Sequence, residues 1–211
     1  MKSYCEPVDL KVGTVLCQAG QPFRYAYFPI VGTISLTETL AGHEPLETDS
    51  IGNEGMLGSA LVLNIKHAPQ TAVVQTPLQA LRFRAKQMPT ALRSLPSLLG
   101  ALQRYLYASM VEQSQTTGCI HFHEVARRLA KALLLAQDRA NSNHLPLTHQ
   151  HLADTLGVRR SAVTIAAIKL QRDGIIRYSR GKISILDRER LENSSCRCYQ
   201  ASVENYAKAL L

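Results

Sequence analysis

The chain has 211 residues, a length that favours two modest domains over one or three. Its 45% hydrophobic and 19% charged content, with 12 glycines and 9 prolines, excludes extensive disorder and fibrous repeats, and no apolar run is long enough to span a bilayer. The formal charge of +8 sits mostly in the second half, where residues 117–211 carry fifteen Lys/Arg against eight Asp/Glu while residues 1–116 carry nine against eight. Such a distribution is expected when one domain meets a polyanion, most often nucleic acid; a merely solvated basic surface is the alternative.

The opening MKSYCEPVDLKVG lacks the apolar segment of a secretory leader, so the cytoplasm is the expected location. Five cysteines (Cys5, Cys17, Cys119, Cys196, Cys198) form no C-x-x-C pair and no C-x2-C/H-x3-H ladder, and in a reducing compartment they read as free thiols with no metal. Cys196 and Cys198 flank Arg197, whose charge would lower a thiol pKa and make a redox switch; two inert tail thiols are the alternative.

Residues 1–95 read as short strands separated by turn signals at Val12-Gly13, Ala19-Gly20-Gln21-Pro22, Val31-Gly32, Ala41-Gly42-His43 and Ile51-Gly52-Asn53 and near Pro69 and Pro77. Between them lie Tyr25–Phe28, Thr33–Thr37 and Thr71–Gln75, rich in β-branched and aromatic residues. An antiparallel β-roll or barrel is expected.

At Pro96 the pattern changes to helical. Leu99, Leu102, Leu106 and Met110 recur at steps of three and four, so a long helix is expected over 96–117, with Gly118 as its break. Its apolar seam suits a dimer interface, or packing on its own chain. A domain over 118–195 follows, opened by a helix through Val125, Leu129, Leu133 and Leu134, and residues 196–211 make a tail with helical character.

The most informative stretch is Thr148-His149-Gln150-His151-Leu152-Ala153-Asp154-Thr155-Leu156-Gly157-Val158-Arg159-Arg160-Ser161-Ala162-Val163-Thr164. Thr148 caps a short helix whose apolar residues share one face, Gly157 makes a sharp turn, and Val158, Val163 and Ala166 continue the buried face on a second helix. This is the helix-turn-helix pattern. Ile175 and Ile176 then lead into two β segments around Ser179-Arg180-Gly181, a wing. Arg159, Arg160 and Ser161 fall at the end of the second helix that enters a DNA groove, and Thr164 lies one turn on. Thr148 at the start of the first helix and Arg180 and Lys182 on the wing are placed for phosphate, and His149, Gln150 and Lys169 complete the expected DNA-binding residues. Arg127 and Arg128 read as solvated or packed.

The segments FPIVGTISL (28–36), GNEGMLG (52–58), LPLTHQHLADTLGVRRSAVT (145–164) and LQRDGIIRYSRGKISILDRERLE (170–192) together resemble the Crp/Fnr superfamily of bacterial transcription regulators. The resemblance implies an α+β chain: an N-terminal β-roll sensor, a long dimerisation helix and a C-terminal winged helix-turn-helix. It also implies a homodimer on a palindromic double-stranded DNA operator, with RNA polymerase as a partner. The effector pocket would fall at Glu54, Gly58, Ser59, Gln70 and Thr71. Where cyclic-nucleotide-binding members carry Gly-Glu and Arg-Ser/Thr pairs, this chain has Gly58-Ser59 and Gln70-Thr71, so the effector is expected to be something other than cyclic AMP, or absent. Haem or another small molecule stays open, with His43 and His67 as conceivable ligands. The cysteines do not match the iron–sulfur branch. Only Arg160 carries over from the family's recognition arginines, Ser161 and Ile165 standing at the other places.

His121/His123 and His149/His151 are spaced i, i+2, which points them some ~200° apart on a helix, so neither pair alone chelates a metal. No nucleophile elbow, P-loop or zinc-protease sequence is present, and catalysis has no support. A small-molecule-binding or enzymatic barrel with an incidental basic half is the remaining alternative, and it predicts no salt-dependent DNA affinity.

Overall fold

A computed structural model of the protein describes residues 4–39, 41–42 and 45–210. His43 lies outside them. The chain forms two compact units: Met1–Ser109 with Tyr206–Leu211, and Met110–Asn205.

Among the described residues, the first unit holds seven strands, β1 (Cys5–Leu10), β2 (Val15–Cys17), β3 (Tyr25–Val31), β4 (Ile34–Glu38), β5 (Leu46–Ile51), β6 (Thr71–Val74) and β7 (Leu78–Arg84). They pair antiparallel in two sheets, ordered β1-β7-β3 and β2-β6-β4-β5. Alternation drives the second sheet: Ile34 lies opposite Ile51 on one side and Val74 on the other, and all three are buried. The expected strands overlap β3, β4 and β6, with Thr33 and Gln75 just outside the observed ends. Their neighbours were harder to read, because β1 (CEPVDL) carries the proline and acids tolerated at an edge and β5 (LETDSI) is a mostly polar edge.

Helix α1 (Met88–Ser94) closes the sheets, and helix α2 (Pro96–Phe122) starts at the proline that its first turn tolerates. Two expectations for α2 need correction. The proposed seam divides, because Leu102 belongs to the core of its own chain with Tyr105, while Leu99 and Leu106 are half-buried and Met110 is 72% exposed. At ~100° per residue, Leu98, Leu102, Tyr105 and Ala108 face inward while Leu99, Leu106 and Met110 face away. The helix also runs through Gly118 to Phe122. A glycine inside a helix costs only about 1 kcal/mol, which a long helix absorbs. The stop lies instead near Glu124, whose extended backbone (φ −61°, ψ 151°) precedes the next helix.

In the second unit α3 (Val125–Ala140), α4 (His149–Leu156), α5 (Arg160–Arg172), α6 (Arg188–Ser194) and α7 (Cys198–Leu210) surround a small sheet of β8 (His144–Leu145), β10 (Lys182–Ile185) and β9 (Ile176–Ser179), in that order. Leu129, Leu133 and Leu134 of α3 are fully buried against Leu152, Val163, Ile176 and Ile183. Strand β8 forms because Leu145 pairs with Ile183 and buries its side chain. Among the described residues, no helix is long and apolar enough to cross a membrane.

Candidate nucleic-acid interface

The interface is built from the start of α4. Thr148 Oγ1 accepts a hydrogen bond from the His151 amide at 3.1 Å, which fixes the first turn. Gly157 ends the helix at φ 61°, a left-handed conformation that suits glycine, and the Val158 amide closes the turn onto the Ala153 carbonyl at 3.1 Å. Arg128, buried in α3, donates Nη2 to the Leu156 carbonyl. Of the two arginines left open as solvated or packed, Arg128 packs and Arg127 is exposed. The small residues Ala153, Ala166 and Ala167, all buried, let the two helices cross closely.

His149 was expected to reach DNA and does not. It is 7% exposed, its ring stacks on Tyr178 of β9 at 4.0 Å between centroids, and its Nδ1 lies 3.0 Å from Thr164 Oγ1. The Thr164 hydroxyl donates to the Arg160 carbonyl at 3.0 Å, so the hydrogen-bond network assigns the imidazole proton to Nδ1, which donates to Thr164. Nε2 is then a bare acceptor, buried without a partner. Burial, and secondarily the charge of Arg160, lower the imidazole pKa and keep the ring neutral. The Thr164 hydroxyl is thereby engaged on both sides within the protein. A buried His149 is a physical consequence of α4 lying against both α5 and the wing, which no helical period in α4 reveals.

The wing turn is a two-residue hairpin in which Ser179 pairs with Lys182, and Arg180 (φ 47°) and Gly181 (φ 78°) both take left-handed backbone. It sits beside the helix start, since a Cβ on Gly181 would lie 3.4 Å from Thr148 Cγ2. The wing turn and the start of α4 are thereby brought side by side. Arg159, Arg160, Ser161, Lys169 and Gln150 are all exposed, as are Arg172, Arg177 and Arg190. Gln150 donates to Asp154 at 2.8 Å. Arg188 does not belong to this face: it is held by Asp138 (2.7 Å), Glu192 (2.8 Å) and the Tyr199 hydroxyl (2.6 Å). Ile165 and Ile168, which were not among the expected contacts, lie on the outer face of α5 beside Ser161 and Lys169, 71% and 60% exposed.

The residues expected to line an effector pocket are engaged within the first unit. Glu54 Oε1 accepts from the Gly52 amide at 3.1 Å, and Gly58 (φ 90°) with Ser59 starts a 3-10 turn over Ser59–Leu63. Gln70 Nε2 donates to Thr48 Oγ1 at 2.6 Å, and Thr71 Oγ1 accepts from the Ala19 amide at 3.2 Å. Sequence reasoning missed Glu47, buried in the same sheet, which accepts from Ser35 Oγ at 2.6 Å and Gln75 Nε2 at 2.7 Å. His67 is exposed in a loop.

Cys196 and Cys198 were read as a pair, and the structure adds Cys119 to them. Cys119, Cys196 and Cys198 form a buried cluster with His123 beside it, all four in the second unit. Cys119 and His123 at i, i+4 on the last turn of α2 were the legible half of that grouping.

Residues 127–194 match the Crp-like helix-turn-helix domain family, and residues 7–94 match the cyclic nucleotide-binding domain family. No curated protein sequence matches this one. Among solved structures, the chain is similar to TTHB099, a CRP-family transcriptional regulator from Thermus thermophilus, at 19% identity and TM-score 0.72 over 89% of this chain and 96% of that one. It is similar to TTHA1359, a CRP/FNR-family transcriptional regulator of the same organism, at 23% and 0.70 over 90% and 98%. FixK2 from Bradyrhizobium japonicum follows at 16% and 0.69 over 91% and 98%. The α+β architecture is that of these neighbours, and the two matched domains follow one another over most of the chain, the second carrying the helix-turn-helix just described: the chain belongs to the Crp/Fnr family of DNA-binding transcription regulators.

Proposed function

We propose that this regulator acts as a cytoplasmic homodimer that reads a two-fold DNA operator through α5 in the major groove, without cyclic AMP as effector. The observation that carries the reading is the juxtaposition around His149. One buried ring ties the start of α4, Thr164 of α5 and Tyr178 of the wing together, so the exposed cations of α5 and of the wing are held on one support. Arg160 reads a guanine edge, Ile165 contacts a thymine methyl, and Lys182, Arg180 and the Thr148 region set the register on phosphate. The outward stripe Leu99, Leu106 and Met110 on α2 is the dimer contact, which spaces two recognition helices about 34 Å apart, one DNA turn.

The effector reading rests on Gly58-Ser59 and Gln70-Thr71. A cyclic phosphate meets no guanidinium at these positions, and the Gln70 amide already donates to Thr48. Losing a charge-assisted contact forfeits about 1.5–3 kcal/mol. The sensor unit therefore answers another small molecule or serves as a dimerisation scaffold, and RNA polymerase is the partner through which either form acts.

The test is selection of bound sequences from a random DNA pool at two salt concentrations, without added effector. Enrichment of a palindrome with half-sites one helical turn apart is expected. Binding that is salt-sensitive and blind to sequence overturns the effector-free operator reading, and binding that ignores salt overturns the interface itself.

A further inference from the structure

Three sulfurs and one imidazole converge at the end of the long helix. Cys119 and His123 lie one turn apart at the C-terminal end of α2, with the His123 amide bonded to the Cys119 carbonyl at 3.1 Å. Cys196 lies in the joint between α6 and α7, and Cys198 opens α7. The three cysteines are 5%, 2% and 9% exposed. The four potential ligand atoms all lie within 4.8 Å of one another.

The distances identify the geometry. A tetrahedral ion with bonds of about 2.3 Å to sulfur and about 2.0–2.1 Å to nitrogen sets its ligands apart by about 3.8 Å between two sulfurs and about 3.5 Å between sulfur and nitrogen. Cys119 Sγ lies 3.6 Å from Cys196 Sγ, and Cys198 Sγ lies 3.5 Å from His123 Nδ1. These are two opposite edges of one tetrahedron. Both sulfurs of the first edge stand well beyond the ~2.05 Å of a disulfide bond. An iron–sulfur cluster spreads its thiolates over several irons, so it does not draw all its ligands to the edges of a single tetrahedron.

We propose that Cys119, His123, Cys196 and Cys198 bind one zinc ion as a Cys3His site, clamping the last turn of α2 to the joint between α6 and α7. Soft thiolates with one imidazole select zinc over the hard divalent cations, and four protein ligands close the shell as in structural rather than catalytic sites. Three thiolates against a divalent ion leave one net negative charge. Binding releases the thiol protons to solvent, one per thiolate formed, with no change of oxidation state.

The experiment uses the full chain, purified under reducing conditions, stripped with a chelator and titrated separately with Zn2+ and Co2+. One ion per chain is expected, surviving dialysis. The Co2+ form should show the intense visible bands of a tetrahedral site together with a near-ultraviolet thiolate charge-transfer band. X-ray absorption on the zinc form should give three sulfurs at about 2.3 Å and one nitrogen at about 2.0 Å. Cys196→Ser and His123→Ala should weaken zinc binding by more than about a hundredfold, whereas Cys5→Ser/Cys17→Ser should leave it unchanged. Should the ligand variants fail to fold, the absorption spectrum of the unaltered protein decides the ligand set. Substoichiometric uptake, iron in place of zinc, a shell of oxygen and nitrogen alone, or a Cys119–Cys196 disulfide in metal-free protein that takes up no zinc each overturns the proposal.

Discussion

The His149 ring lies flat on Tyr178, 4.0 Å between centroids and 22° from parallel, so the first helix of the helix-turn-helix and the wing are joined through one buried side chain. His149→Ala removes that stack, the hydrogen bond to Thr164 and the buried ring volume. It should destabilise the protein by about 2–4 kcal/mol, read as a lower urea midpoint. A double-mutant cycle with Tyr178→Leu should show coupling of about 1 kcal/mol. A variant as stable as the parent but weakened only on DNA would return His149 to the role the sequence suggested.

The same burial sets a pH dependence. In the folded protein the His149 pKa is lowered, first by burial and then by Arg160, relative to 6.5 in the unfolded chain. Below that value the unfolded chain binds a proton that the folded protein refuses, so this contribution is full above 6.5 and is lost as the pH falls through the window beneath it. Relative to His149→Gln, the parent should lose more thermal stability between about pH 7.5 and about pH 5. Parallel stability curves for the two proteins would dismiss the linkage.

Arg160 and Lys182 divide the work of recognition. Arg160→Ala should cost about 1–3 kcal/mol on the preferred operator and relax discrimination at one base pair, while Lys182→Ala should weaken all sequences alike and reduce the salt slope by about 1. Binding measured on operator and random DNA across a salt series separates the two. Equal losses on both DNAs for both variants would remove the assignment of roles.

Much of this architecture was legible because local and tertiary signals agreed. Thr148 as a cap, Gly157 as a turn and the Ile175-to-Ile185 wing state their positions through backbone chemistry that depends on near neighbours. What stayed hidden depends on partners distant in sequence. His149 meets a residue 29 positions on, and the Leu102 and Leu106 that share a spacing part company because only one of them faces the core of the first unit. The thiols of Cys119 and Cys196 lie 77 residues apart in the chain and 3.6 Å apart in space, which no local spacing reveals.

Within the first unit, α2 presses Tyr105 against the loop after β5. A Cβ on Gly55 would lie 2.5 Å from the Tyr105 hydroxyl and 2.9 Å from Ile51 Cγ2, and burial holds that phenol up at about 12. Gly55→Ala must therefore push the ring or the loop aside and should destabilise the protein by about 1–3 kcal/mol. Tyr105→Leu should recover part of the loss in the double variant, because the smaller side chain yields the space. Thermal unfolding of the four proteins tests this, and simple additivity of the two changes would show that the contact is not shared.

Arg180 carries a conformational cost and a charge at one position, and a single substitution separates them. Its φ of 47°, beside Gly181 at 78°, belongs to a hairpin turn that favours Asn-Gly. Arginine holds the left-handed backbone against a steric penalty of about 1–2 kcal/mol, which asparagine reduces through its short polar side chain. Arg180→Asn should raise stability by about 0.5–1 kcal/mol. If the guanidinium contacts phosphate, the same variant should bind operator and random DNA more weakly in equal proportion, with a salt slope lower by about 1. A stabilised protein with undiminished DNA affinity would leave the turn reading intact and take Arg180 out of the interface. A destabilised one would mean that the guanidinium holds the wing through contacts of its own.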